Sequence, residues 1–185
     1  MNRANARPAV FLDRDGVLIA SDVVDGVPVP AVDEPQILPG VVEACGLLRD
    51  AGFQLVMVTN QPDIARGKAD AVEVARTNEH LRVELGLHDV RMCPHDDVDG
   101  CACRKPRPGM LVDAAAARGI DLAASVMVGD RWRDIEAGQA AGVRTVLVDH
   151  QYVGKQAKAA DVIVSSLIEA VPAILQGASD QGEHL

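Results

Sequence analysis

Five short apolar runs constrain the fold more than any other feature of the chain: AVFLD (9–13), QLVMVTN (54–60), SVMVGD (125–130), RTVLVD (144–149) and DVIVSS (161–166). Each ends in polar or glycine-containing sequence, and runs of this length rich in Val and Leu read as strands buried on both faces. Between them lie PGVVEACGLLRDAG (39–52), ADAVEVARTNEHLRVELG (69–86), PGMLVDAAAARG (108–119) and DIEAGQAAG (134–142). Pro or Asp near the start of these segments and Gly at the end are helix punctuation. The alternation predicts an α/β fold, a doubly wound, Rossmann-like parallel sheet with right-handed crossovers.

At 185 residues the chain has room for one substantial core, so a single domain over 1–185 is expected. One Trp, one Tyr and two Phe in a chain that is 48% apolar leave the core to aliphatic side chains. The segment 19–40 has no helical period and is expected to form a loop or small hairpin over the strand ends. It is too short for an inserted cap domain, which leaves the site open. The tail from about residue 177 reads as solvated. Cys45 falls at helical spacing as a small core residue.

A net charge of −9 disfavours nucleic acid or an anionic membrane as partner, whereas a small phosphorylated ligand needs only a few local cations. The N-terminal stretch lacks the apolar run of a secretory signal or membrane span, and a cytoplasmic monomer is expected.

In doubly wound sheets ligands bind beyond the carboxyl ends of the strands. The residues there are Asp13, Arg14 and Asp15, then Thr59, Asn60 and Gln61, then Gly129 and Asp130. Asp13 and Asp15, two apart, can face one side as the chain leaves the sheet. Their repulsion is relieved by a divalent cation, and Mg²⁺ suits a site of few carboxylates to which Asp130 adds a further one. One carboxylate can then attack phosphorus while the other serves as acid and base, with the Thr59 hydroxyl and the Lys105 ammonium against the phosphoryl oxygens. Taken singly, Asp-x-Asp-Gly is also turn or calcium-loop sequence, Thr59 an ordinary strand-end hydroxyl and Lys105 a solvated cation. Their order along the expected elements is what sets them apart.

The stretch MCPHDDVDGCACRKPRPG (92–109) brings Cys93, His95, Cys101 and Cys103 together and then turns basic at Arg104 and Lys105. A metal clamp, disulfides and a reactive centre are the alternatives. A reducing compartment disfavours disulfides, and three thiolates with one imidazole match a closed, structural Zn²⁺ site on a loop at 92–105.

FLDRDGV, VMVTNQPDIARGK, CPH…CACRKPRPGML and VGDRWRDIEAG together resemble the haloacid dehalogenase (HAD) superfamily, in its branch of small cap-less phosphatases, over about residues 9–150. The resemblance implies a phosphomonoesterase acting through an aspartyl-phosphate, with Asp13 as nucleophile, Asp15 as general acid/base, and Thr59 and Lys105 as phosphate stabilisers. It implies Mg²⁺ on the Asp13 carboxylate, the Asp15 carbonyl and Asp130, with Asp134 in support, and zinc on the four Cys/His positions. Asn60, Gln61, Arg104 and Arg131 would grip the rest of a small sugar phosphate. The TNQ…IARGK and RKPRPGML elements look more like the heptose bisphosphate phosphatases of that branch than its histidinol phosphatases. For Arg66, Lys68, Arg107 and Arg133 solvation is the ordinary reading. Departures from the pattern are Val17 in place of Thr, Pro62-Asp63 after TNQ, and a loosely matching loop at 21–28. Trp132 reads as packing or as a platform for a sugar.

Overall fold

The computed structural model of the chain describes residues 6–25, 27–29, 35–157 and 159–179. In chain order its elements are β1 (Ala9–Leu12), β2 (Asp22–Val24), β3 (Val27–Val29), α1 (Val41–Asp50), β4 (Gln54–Asn60), α2 (Ala71–Glu84), β5 (Asp89–Cys93), α3 (Gly109–Arg118), β6 (Val126–Gly129), α4 (Trp132–Ala141), β7 (Arg144–Val148), β8 (Val162–Val164) and α5 (Leu167–Ser179).

Six strands form one sheet in the order β5-β4-β1-β6-β7-β8, and every pairing between neighbours is parallel. The chain builds outward from β1 through β4 to β5, then crosses back to lay β6, β7 and β8 on the other side. The strand order therefore reverses at β1, and a crevice opens beyond its carboxyl end, where open α/β sheets bind ligands.

Side chains of β1 alternate between two cores. Val10 and Leu12 pack with Leu55, Met57, Val126 and Val128 and with Ala44, Leu48, Ala170 and Ile174 of α1 and α5. Ala9 and Phe11 point the other way, into a cluster with Met127 and with Met110, Leu111 and Ala114 of α3. Burying Val10, Phe11 and Leu12 completely contributes ~1.5–3 kcal/mol each. That anchorage allows the next residue, Asp13, to be carried into a nearly dry position.

The expected strand and helix segments all appear, with ends trimmed or shifted by one to two residues. Asp70 caps α2 by accepting from Val72 and Glu73 N–H, and Gly119 and Gly142 close α3 and α4 in the left-handed conformation. Segment 19–40 contains the antiparallel β2–β3 hairpin, while residues 26 and 30–34 lie outside the described residues.

Two elements exceed the expected set. β5 carries charges at Asp89 and Arg91, which pair with each other at 2.8 Å, so this edge strand has no continuous apolar run to betray it. α5 contains Pro172, yet its apolar residues pack on α1, and the helix runs to Ser179, past the start of the expected tail. Residues 180–185 lie outside the described residues. No helix among the described residues is long and apolar enough to cross a membrane.

Candidate active site

A cleft of about 330 Å³ opens at the β1 crossover point. Its floor is acidic, formed by Asp13, Asp15, Asp130 and Asp134 around Lys105, and its outer wall carries Arg66, Arg104, Arg131 and Arg133. Parallel pairing sets the floor: Asp13 N–H donates to Val128 O at 3.0 Å, extending the β1–β6 ladder by one residue. Asp13 and Asp130 thus leave the ends of adjacent strands side by side.

Lys105 is 1% exposed, and its Nζ lies 2.8 Å from Asp13 Oδ1, 2.6 Å from Asp134 Oδ1 and 2.8 Å from Val58 O. Burial alone would lower its pKa, but Asp13 and Asp134 outweigh that and hold it above the ordinary lysine range. Burial and the Asp134 charge push Asp13 up to about 6 against the opposing pull of Lys105. Asp130 is raised well above the usual carboxylate range by burial and by Asp13 and Asp134. Neither carboxylate oxygen of Asp130 makes a hydrogen bond of normal geometry among the described residues.

Carboxylate oxygens of Asp13, Asp130 and Asp134 lie within 4.8 Å of one another. A buried carboxylate trio with a single ammonium fits a hard divalent cation, whose charge would favour the ionised forms of Asp13 and Asp130. Gly16 makes room for this arrangement. Its φ is +81°, and a Cβ there would fall 2.1 Å from Asp130 Oδ2.

Asp15 is turned away from the trio. Its carboxylate accepts from Arg14 Nε at 3.2 Å and Nη2 at 3.1 Å, and from Gln61 Nε2 at 2.9 Å. Arg14 Nη1 in turn donates to Asn78 Oδ1 of α2 at 3.0 Å. Arg14 is thus the connector between a helix and the second carboxylate, a role its place between two Asp residues did not disclose.

The expected substrate contacts divide. Asn60 clasps the Lys105 peptide in both directions, Nδ2 to O at 3.0 Å and N to Oδ1 at 3.1 Å. Gln61 also donates to the buried Thr59 Oγ1 at 2.9 Å. Arg131 lines the cleft with its side chain exposed. Arg104 Nε donates to Asp97 Oδ1 at 2.8 Å and its Nη1 to His95 O at 3.2 Å. Arg133 and Arg66 are not simply solvated. Arg133 reaches the same Asp97, and Arg66 pairs with Asp96 and Asp63. Trp132 is packed between cations, with Lys155 Nζ 3.3 Å and Arg133 Cζ 4.7 Å from its ring centre.

The Cys/His loop begins where β5 pairs with β4, Cys93 standing beside Asn60. Cys103 Sγ is 3.2 Å from Cys93 Sγ, 3.4 Å from Cys101 Sγ and 3.3 Å from His95 Nδ1, and Cys93 Sγ is 3.6 Å from both Cys101 Sγ and His95 Nδ1. None of the cysteines is in a disulfide. The spacing approaches the edges of a tetrahedron with metal–sulfur bonds of ~2.3 Å, which would be ~3.8 Å between sulfurs. Burial pushes the Cys93 thiol up to about 12, a state that a bound cation would reverse.

The Hydrolase_like family, described as HAD-hyrolase-like, matches residues 102–170. D-glycero-beta-D-manno-heptose-1,7-bisphosphate 7-phosphatase of Yersinia pestis is 38% identical, over 90% of this chain and 95% of its own length, and that of Escherichia coli K12 is 38% identical over 92% and 95%. Among solved structures, D,D-heptose 1,7-bisphosphate phosphatase of B. bronchiseptica, complexed with magnesium and phosphate, superposes with a TM-score of 0.77 at 33% identity, covering 91% of this chain and 98% of that one. The crossover cleft with its acidic floor thus sits on a scaffold shared over nearly its whole length, and the chain belongs to the HAD-like hydrolases, in the heptose-1,7-bisphosphate 7-phosphatase family of phosphoric monoester hydrolases.

Proposed function

We propose that this chain is a Mg²⁺-dependent phosphatase that removes the 7-phosphate from D-glycero-D-manno-heptose 1,7-bisphosphate, acting as a monomer on the free sugar phosphate. The observation that carries the reading is the buried Asp13–Lys105–Asp134 array beside Asp130, on a chain 38% identical to enzymes of that name. Mg²⁺ would be held by the carboxylates of Asp13 and Asp130 and the carbonyl of Asp15, with Asp134 behind Lys105. When bound it supplies charge neutralisation for an anionic nucleophile meeting an anionic phosphoryl group.

Asp13 is the nucleophile. Lys105 Nζ and Arg14 N–H both hold its Oδ1, the latter at 2.7 Å, so the carboxylate has one orientation when substrate arrives. A bond forms between the Asp13 carboxylate and phosphorus while the bond from phosphorus to the sugar oxygen breaks. Asp15, aimed by Arg14 and Gln61, gives its proton to the leaving alkoxide. Asp15 then takes a proton from the water that attacks the aspartyl-phosphate, which releases inorganic phosphate and restores Asp13. Lys105 and the Thr59 hydroxyl, which accepts from Gln61 Nε2 and has its own proton to donate, stabilise the phosphoryl oxygens.

Zn²⁺ on Cys93, His95, Cys101 and Cys103 is structural in this reading: four protein ligands leave no open position. It fixes the loop whose last ligand adjoins Arg104 and Lys105. Arg104 and Arg131, with Asn60 and Gln61 nearby, shape the end of the cleft that receives the sugar.

The test is a kinetic comparison of both anomers of heptose 1,7-bisphosphate with histidinol phosphate, in Mg²⁺. The bisphosphate is expected to give the higher kcat/KM by at least ~100-fold, and Asp13→Asn to abolish turnover. Preference for histidinol phosphate, or full turnover by Asp13→Asn, would overturn the substrate or the covalent route respectively.

A further inference from the structure

Four arginines line the outer wall of the cleft, and three of them are already engaged by carboxylates of this chain. Arg66 is held by Asp96 at 2.6 Å and Asp63 at 3.2 Å. The other two, Arg104 and Arg133, share one partner: Asp97 Oδ1 accepts from Arg104 Nε at 2.8 Å and Arg133 Nη1 at 2.9 Å, and Asp97 Oδ2 accepts from Arg133 Nη2 at 3.1 Å. Two guanidinium groups converging on the oxygens of one anion is the geometry by which arginines recognise a phosphoryl group.

We infer that Asp97 is a specificity-determining residue whose carboxylate stands in for the second phosphoryl group of a bisphosphate on Arg104 and Arg133, and which that group displaces on binding. The inference rests on the function proposed above.

Three observations support displacement over a fixed structural bridge. Asp97 is the solvent-facing member of both pairs, its side chain 53% exposed on the short 3-10 turn Asp97–Asp99 against 8% for Arg104 and 26% for Arg133, so water can take up its carboxylate when it leaves. Lys105 is the contrast, its side chain 2% exposed between Asp13 and Asp134. Second, each arginine has another anchor. Arg104 Nη1 donates to His95 O, and Arg133 lies over the Trp132 ring, so both stay in place when Asp97 leaves. Third, a phosphate dianion brings more charge and more acceptor oxygens to the pair than one carboxylate does.

The consequence is discrimination. A monophosphate that carries only the reacting group leaves Asp97 seated, whereas a bisphosphate competes with it. The ratio of KM for heptose 7-phosphate to KM for heptose 1,7-bisphosphate is the readout. In Asp97→Asn, which keeps the shape of the side chain and removes its charge, this ratio is expected to rise about five- to tenfold, and in Arg133→Gln to fall by a similar factor. In the double variant the gain from Asp97→Asn should largely vanish. Asp99→Asn removes a charge from the same turn without touching either arginine and should change the ratio less than twofold.

A fall of the ratio in Asp97→Asn, parallel to Arg133→Gln, would mean that Asp97 only positions the arginines and would overturn the inference. Equal changes in Asp97→Asn and Asp99→Asn would overturn it as well, because a diffuse field would then suffice. Should Asp97→Asn fail to fold, the Arg133→Gln ratio decides, and an unchanged ratio overturns. Wild-type turnover of the bisphosphate with ratios unmoved by the variants defeats this inference alone. Absence of wild-type turnover defeats it together with the proposed function.

Discussion

Lys105 Nζ lies 2.8 Å from Asp13 Oδ1, and both residues are almost wholly removed from solvent. An ammonium and a carboxylate so placed are costly to separate, because either one alone is a buried, unpaired charge. Lys105→Met is therefore expected to destabilise the fold by ~3–5 kcal/mol without bound cation, and to lower kcat by ~100- to 1,000-fold through loss of charge stabilisation at the phosphoryl oxygens. Chemical denaturation and steady-state rates at saturating Mg²⁺ check the two effects. A stable variant with wild-type kcat would remove Lys105 from the mechanism.

Arg14 links α2 to the second carboxylate, through Asn78 on one side and Asp15 on the other. A lysine cannot reproduce that fork. Arg14→Lys should reduce kcat about tenfold or more while KM moves much less, since Asp15 is misaimed but the binding wall is untouched. Equal changes in KM and kcat would point instead to a general collapse of the cleft.

At Gly16 the obstacle is steric. Backbone at φ +81° strains any side chain, and a Cβ would meet Asp130 Oδ2 at 2.1 Å. Gly16→Ala should displace the Asp130 carboxylate and weaken Mg²⁺ activation at least ~10-fold, read as the Mg²⁺ concentration for half-maximal rate. Unaltered Mg²⁺ dependence would show that Asp130 is not a ligand.

The Cys/His tetrad is expected to hold one zinc per chain, countable by elemental analysis. Cys101→Ser, or chelation, should lower Tm by more than ~5 °C and raise KM before it lowers kcat, because Arg104 adjoins the last ligand while Lys105 is held separately by Asn60, Asp13 and Asp134. A zinc-free chain with native Tm and KM would contradict the structural role.

Acid sensitivity has a source outside the cleft. His88 Nδ1 accepts from Leu55 N–H at 3.0 Å at the start of β4, and burial, then Arg118, Arg7 and Arg49, hold its pKa below the usual 6.5. The folded state favours neutral His88, so its contribution is fully present above about pH 6.5 and is lost as pH falls through the lower folded-state pKa. Tm of the wild type should therefore drop between about pH 7 and pH 5.5 more steeply than Tm of His88→Asn, which keeps an acceptor and cannot titrate. Parallel profiles would exclude His88 as the origin.

The scaffold and the strand-end residues around the cleft were readable in the chain because both follow from short-range pattern. Uninterrupted apolar runs mark strands buried on two faces, and the polar residues that end them must lie at the sheet's carboxyl edge, which locates Asp13, Thr59 and Asp130. The Cys/His cluster was equally legible, since Cys93, His95, Cys101 and Cys103 fall in one short stretch and a tetrahedral arrangement needs little chain to close.

Tertiary structure alone decided the rest. β5, with its internal Asp89–Arg91 pair, has no continuous apolar run and takes its place as a strand by pairing along the edge of β4. The parallel pairings bring Asp134 and Asp13 to one ammonium, set Asn60 against the Lys105 peptide and turn Gln61 toward Asp15. Which arginine meets which carboxylate depends on loop closure between distant segments, and an exposed Arg or Asp carries no period that announces its partner. Asp97 between Arg104 and Arg133 is such a case: its chemistry is written in two separate stretches of sequence, the 92–109 loop and the start of α4, and becomes a site only when the fold brings them into contact.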